Sequence, residues 1–177
     1  RDRSVSRGLG DVYKRQSVNL SYIQLAQGDF ISFLRTALEE HSLAPSKIIL
    51  ELTETYLAKA EEDTLRLIAQ MKELGVKIAM DDFGVGYSSL FSLKSIPVDV
   101  VKIDRGFVKG ITSDLFNATF IRSITDLCHD VGRKVCLEGV ETEEEYEAVR
   151  ELGMEYIQGY YFGRPMSARQ FEDRLKE

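Results

Sequence analysis

The side chains in this sequence best suited to chemistry are oxygen donors and a lysine, and they recur at intervals of 20 to 36 residues. In chain order they are Asn19, Glu51 with Glu54, Asp81 with Asp82, Lys102 with Asp104, Glu138 with Glu141, and Gln158. Each group stands at the end of an apolar, strand-like run. Hard oxygen ligands without a histidine cluster suit magnesium or manganese rather than zinc. The neighbouring carboxylates of Asp81 and Asp82 repel one another unless a cation or hydrogen bonds compensate. Taken singly, each residue has an ordinary structural role. Asn19 suits a turn or cap, Glu51 and Glu54 suit ion pairs or helix caps, and Lys102 suits a solvated surface. Taken together they follow strand ends six times, which random surface polarity would not do. His41 and His129 fall in helical segments away from these ends and read as solvent-facing or structural.

Those residues need elements that bring distant positions together. From Ser17 onward, apolar runs of strand length alternate with amphipathic helical runs. Strands are predicted at Ser17–Ser21, Lys47–Thr53, Val76–Met80, Val98–Ile103, Lys134–Leu137 and Tyr156–Phe162. A helix near Asp29–His41 carries Phe30, Leu34 and Leu38 on one face. Another, near Glu61–Leu74, turns Leu65, Ile68 and Met71 inward and has acids in its first turn and Gly75 as its stop. The helix before the fifth strand presents Phe120, Ile121, Ile124, Leu127, Cys128 and Val131, and Gly132 ends it. Thr142 with Glu145, and Ser167 with Gln170, have capping-box spacing. Strand–helix alternation with short connections implies right-handed parallel βα units with helices outside a sheet. All strand C-termini then point to one side. A barrel would close them into a ring, and an open doubly wound sheet would place a ligand at its switch point.

Composition bounds the alternatives. The chain has 177 residues, 44% apolar and 29% charged, enough for one packed domain. A formal charge of −6 argues against a general binder of nucleic-acid polymers. No apolar run approaches a membrane span and no secretory signal is evident, so no membrane contact by this segment is expected. Two cysteines, Cys128 and Cys136, suit neither a disulfide framework nor a zinc site and read as buried thiols in a reducing compartment. Residues 1–16 differ from the rest. They carry five basic residues (Arg1, Arg3, Arg7, Lys14, Arg15) against two acidic ones (Asp2, Asp11) and show no periodicity. This stretch is expected to be a non-native or disordered leader, outside the domain at 17–177.

The chain resembles the EAL family of bacterial cyclic-di-GMP phosphodiesterases over almost all of 17–177. The resemblance is carried by Val18-Asn19-Leu20-Ser21, Glu51-Leu52-Thr53-Glu54, Asp81-Asp82-Phe83-Gly84-Val85-Gly86, Lys102-Ile103-Asp104, Glu138-Gly139-Val140-Glu141, and Gln158-Gly159-Tyr160-Tyr161-Phe162 leading to Pro165. It implies a TIM-type (β/α)8 barrel, here incomplete, with about six of eight βα units. It implies hydrolysis of cyclic-di-GMP to linear pGpG with two divalent ions, Mg2+ or Mn2+, which acidify a water and neutralise phosphate charge. Asn19, Glu51 and Asp81 map onto ligands of the first metal, with Asp81 bridging, and Asp82 onto the second. Lys102 and Glu138 map onto the catalytic pair that orients water, moves its proton or offsets phosphate charge. Gln158, Glu141, Glu54 and Asp104 map onto substrate-binding or supporting positions.

Three departures bear on this. Val85 stands where the family usually has Thr, and Leu137 where it often has Ala. The Glu-Ala-Leu tripeptide that names the family is not in this sequence, so an amino-terminally truncated domain with impaired activity is expected. The family's homodimer, through the loop after Asp82 and the neighbouring helix, is the expected assembly, and the cytoplasm the expected location, with a membrane anchor left open for the parent protein. The alternative is a catalytically inactive EAL-like domain that acts as a cyclic-di-GMP receptor or protein-interaction module. A metal-dependent barrel lyase or isomerase fits the motifs poorly.

Overall fold

In the computed structural model the described residues are 15–26, 28–86 and 90–174. Six strands form one wholly parallel sheet in sequence order: β1 (Gln16–Asn19), β2 (Ile48–Thr53), β3 (Lys77–Phe83), β4 (Val100–Ile103), β5 (Lys134–Glu138) and β6 (Tyr156–Gln158). The sheet curls into a half-barrel. Among the described residues, the helices of more than one turn and a half are α2 (Phe30–Glu40), α4 (Glu62–Glu73), α5 (Leu90–Ser95), α6 (Leu115–Asp130), α7 (Glu143–Val149) and α8 (Ala168–Arg174). Shorter helical turns are α1 (Tyr22–Ala26) and α3 (Glu54–Leu57).

Alternation along the strands sorts the residues by face. Leu50 and Leu52, Ile78 and Met80, Val101 and Ile103, and Val135 and Leu137 point outward into the main core under the helices. That core includes Leu34 and Leu38 of α2, Ile68 and Met71 of α4, and Ile121 and Cys128 of α6. Residues one position away face into the curl, where Ala79, Val100 and Cys136 form a small cluster with Ile49 and Tyr156. Continuing that inner row by two residues gives Glu51, Asp81, Lys102, Glu138 and Gln158. The face that carries the site is therefore decided by the strand period.

At the opposite ends of the strands, two acids act as clamps. The Ile78 amide donates to Asp99 Oδ2 at 3.0 Å, and the Val135 amide donates to Glu155 Oε2 at 2.9 Å. Each clamp has a second partner: Asp99 is ion-paired with Lys72 and Lys77, and Glu155 lies 3.1 Å from His129 Nε2. Hydrogen bonds from Ile78, Lys72 and Lys77 outweigh burial and hold the Asp99 carboxyl below its usual range. The Val135 and His129 bonds do the same for Glu155.

The predicted elements recur with shifted ends. β1 starts at Gln16, the last residue of the expected leader, and the rest of that leader except Arg15 lies outside the described residues. β3 runs on to Phe83 instead of stopping at Met80, because a register shift between Met80 and Phe83 keeps Asp81 and Asp82 in the strand. β6 ends at Gln158 instead of Phe162, because the chain turns there, with Phe162 N donating to Gly159 O at 3.1 Å. The Thr142–Glu145 capping box is present, and Ser167 and Gln170 exchange the same pair of bonds at the start of α8.

Candidate active site

Lys102 is the hub of the site. Its Nζ lies 2.9 Å from Glu51 Oε2, 2.8 Å from Asp81 Oδ1 and 2.6 Å from Glu138 Oε1. The three acids arrive from β2, β3 and β5, and the lysine from β4, so one ammonium ties four strands together at their C-terminal ends. The Lys102 side chain is 6% exposed, as is that of Glu51. Burial alone would lower the lysine's pKa, but the bonds to Asp81, Glu138 and Glu51 outweigh it and push it up. Glu138 is raised, by burial first, with repulsion from Asp81 and Glu51 adding to it against the pull of Lys102.

Asp82 joins the cluster through its backbone. Successive residues of a regular strand point to opposite faces. The register shift in β3 and a left-handed backbone at Asp82, φ 56°, break that rule and turn both carboxylates to the site. Oxygens of Asp81, Asp82 and Glu138 then lie within 4.8 Å of one another. Burial and the nearness of Asp81 and Asp104 raise the Asp82 pKa. Asp and Asn tolerate the left-handed region better than other non-glycine residues do.

The remaining residues stand around this cluster. Asn19 is level with Glu51 in the β1–β2 register, and Gln158 with Glu138 in β5–β6. Asn19, Glu51, Lys102 and Gln158 line a cleft of about 1030 Å³ inside the curl. Glu54, at the start of α3, is 1% exposed, and its charge adds to those that raise the Asp82 pKa. Its Oε2 accepts from the amides of Gly84 and Gly86 at 3.0 and 3.3 Å, which pins the loop that follows Asp82. Asp104 caps the short 3-10 turn Arg105–Phe107 by accepting from Gly106 N at 2.7 Å. Glu141 is exposed, and its amide donates to Glu145 Oε2 at 2.7 Å, within the start of α7.

Two neighbours of the site were not singled out as such from the sequence. Cys136 lies in the inner wall of the cleft level with Lys102 in the β4–β5 register, and burial pushes its thiol up to about 12. Period-two counting from Glu138 would have placed it there. Tyr146 of α7 stacks on Tyr161 at 5.1 Å and meets Phe162 edge-on at 5.7 Å, beside the end of β6. No spacing rule links residues 146 and 161.

The donor set fits divalent cations. Four acids converge with one lysine, leaving negative charge over, and every donor is a hard oxygen. Glu51 Oε1 is also buried with no hydrogen-bond partner among the described residues, a costly arrangement for a carboxylate oxygen unless something else binds it. A family model for the EAL domain matches residues 3–165. The chain belongs to the EAL domain family. This EAL domain is 42% identical over 154 residues to the bifunctional diguanylate cyclase/cyclic di-GMP phosphodiesterase MucR of Pseudomonas aeruginosa, covering 87% of this chain and 22% of that protein. It thus spans about a fifth of the length of the curated relatives it matches. Its fold matches the PaMucR phosphodiesterase in its c-di-GMP complex with a TM-score of 0.82 at 41% identity, over 89% of this chain and 64% of that one. Klebsiella pneumoniae BlrP1, in a manganese/cyclic-di-GMP complex, matches with a TM-score of 0.82 at 31% identity, over 89% of this chain and 41% of that one. EAL domains are metal-dependent, and the half-barrel here is part of their TIM-barrel architecture.

Proposed function

We propose that this EAL domain hydrolyses one phosphodiester of cyclic-di-GMP to give pGpG. The observation that carries the reading is the buried Lys102 ammonium shared by Glu51, Asp81 and Glu138, with Asp82 turned toward the same point. Asn19, Glu51, Asp81 and Asp82 would hold two divalent ions, Mg2+ or Mn2+. When bound, such ions supply Lewis-acid stabilisation of the phosphate and acidify a water. Lys102 Nζ keeps its proton and places a positive charge beside the phosphoryl oxygens. Glu138 takes the proton from the water as its oxygen adds to phosphorus, the P–O bond to one ribose oxygen breaks, and that oxygen takes up a proton from solvent while Glu138 returns its own to solvent. Gln158 offers an amide to the substrate from the neighbouring strand. Glu54 and Asp104 position the loops after β3 and β4, and Glu141 the start of α7.

We further infer a homodimer through the loop after Asp82. Val85, Leu115 and Phe116 are 66%, 81% and 68% exposed, apolar surface that such an interface would cover. Phe116 stacks on Phe120, and Phe120 on Phe107 at 4.1 Å, which links this face to the loop carrying Gly84. A cytoplasmic site of action fits the two buried free thiols. Among the described residues no helix is long and apolar enough to cross a membrane.

The test is to incubate the chain with cyclic-di-GMP, with and without Mn2+, and to resolve products chromatographically. Mn2+-dependent pGpG that disappears in K102M supports the reading. Activity is expected to be impaired without the Glu-Ala-Leu glutamate, so the incubation is long and the chain in excess; nucleotide bound but left wholly intact under those conditions overturns hydrolysis and favours the receptor alternative.

A further inference from the structure

We propose that Gly139, assisted by Gly159, is a positioning residue: it lets the loops after β4, β5 and β6 approach to backbone contact, and this closeness holds the Glu138 carboxylate on Lys102. Gly139 follows Glu138 directly and has φ +82°. A Cβ added there would overlap the Cβ of Arg105 and stand 3.1 Å from its Cα. Any larger residue must therefore force the end of β5 and Arg105 apart.

Arg105 has little room to retreat. It opens the 3-10 turn that Asp104 caps, and the Asp104 amide is itself bonded to Phe83 O at 3.2 Å. Two residues on, Phe107 is stacked on Phe120 at 4.1 Å. Phe107 also lies against Gly84, where an added Cβ would stand 2.6 Å from the ring. Displacement therefore falls on the end of β5, where Glu138 Oε1 sits 2.6 Å from Lys102 Nζ.

The other side of β5 is closed in the same way. A Cβ on Gly159 would overlap the backbone nitrogen and oxygen of Val140 and stand 2.7 Å from its carbonyl carbon. Val140 N donates to Gln158 O at 3.2 Å, and Tyr161 N donates to Val140 O at 3.0 Å. A side chain at 159 would break both bonds and drive Gln158 away from Glu138. Loop closeness thus acts together with the strand register in setting the spacing of Lys102, Glu138 and Gln158.

The proposal rests on reading Glu138 as part of a metal-dependent site, so its test has one readout that needs no metal. The variants are G139A, the pair R105G/G139A, and G132A. Gly132 has φ +73° and nothing within 4 Å of an added Cβ, so G132A carries backbone strain without a collision. Crystal structures read the Glu138–Lys102 separation, and calorimetry reads Mn2+ binding. G139A is expected to open that contact beyond hydrogen-bonding distance and weaken Mn2+ at least about tenfold. R105G/G139A restores both, and G132A lowers the melting temperature while leaving both intact. Retention of the contact in G139A overturns the proposal. Should G139A not fold, a folded R105G/G139A with the contact intact supports it, and a pair that stays unfolded while G132A folds overturns it. Wild-type protein that takes up no Mn2+ refutes the metal reading, and the separation in the variants still decides the role of Gly139.

Discussion

At Lys102 one cation is shared by acids from three strands, and removing it leaves them facing each other with no counter-charge. Breaking a buried charge cluster on one side costs about 3–5 kcal/mol. K102M is therefore expected to lower the denaturation free energy by that order, read from urea midpoints. Asp82 gives the opposite sign. Its left-handed backbone costs of order 1 kcal/mol in a non-glycine residue. D82G is expected to raise the melting temperature while weakening Mn2+ at least about tenfold, read by thermal melts and calorimetry. A D82G protein that binds Mn2+ like the parent would remove Asp82 from the ligand set. Glu54 acts at a distance, through the amides of Gly84 and Gly86. E54Q is expected to lower pGpG formation with little change in the melting temperature, since a glutamine oxygen can still accept one of those bonds.

Among the elements, the strands were legible because each is an apolar run whose alternate residues meet the main core, as Ile78 and Met80 do. Their ends were less so. Stopping β3 at Met80 missed a register shift that has no mark in composition, and extending β6 through Phe162 missed a turn forced by Gly159 against Val140. The clamps at Asp99 and Glu155 were not legible, because each bonds a strand more than 19 residues away in sequence. They make a pH prediction. Asp99 and Glu155 have lowered pKa values in the folded chain, so their stabilisation is present above the ordinary carboxylate range, about pH 4, and is lost as pH falls through the folded values. Urea midpoints are expected to fall below about pH 4, and less steeply in D99N. Equal slopes in both proteins would assign the acid sensitivity elsewhere.

For the whole molecule, strand–helix alternation was enough to put Glu51, Asp81, Lys102, Glu138 and Gln158 at one rim of a parallel sheet. Which of them touch was hidden, because lateral contacts depend on register and curl. The two cysteines report on this architecture from opposite sides, Cys128 under α6 and Cys136 inside the curl. Burial pushes them up to about 11 and about 12. Neither is expected to react with a disulfide reagent at pH 8 in the folded chain, and both should react in urea; fast native labelling of Cys136 alone would mean that the curl opens independently of the helical layer. The four-strand reach of Lys102 also bears on how the chain is born. During synthesis β2 and β3 leave the ribosome before β4, so Glu51 and Asp81 emerge ahead of the Lys102 ammonium that pairs with them. A nascent chain from which β3 has emerged and β4 has not carries neighbouring strands whose acids oppose docking, and the arrival of the lysine removes that opposition.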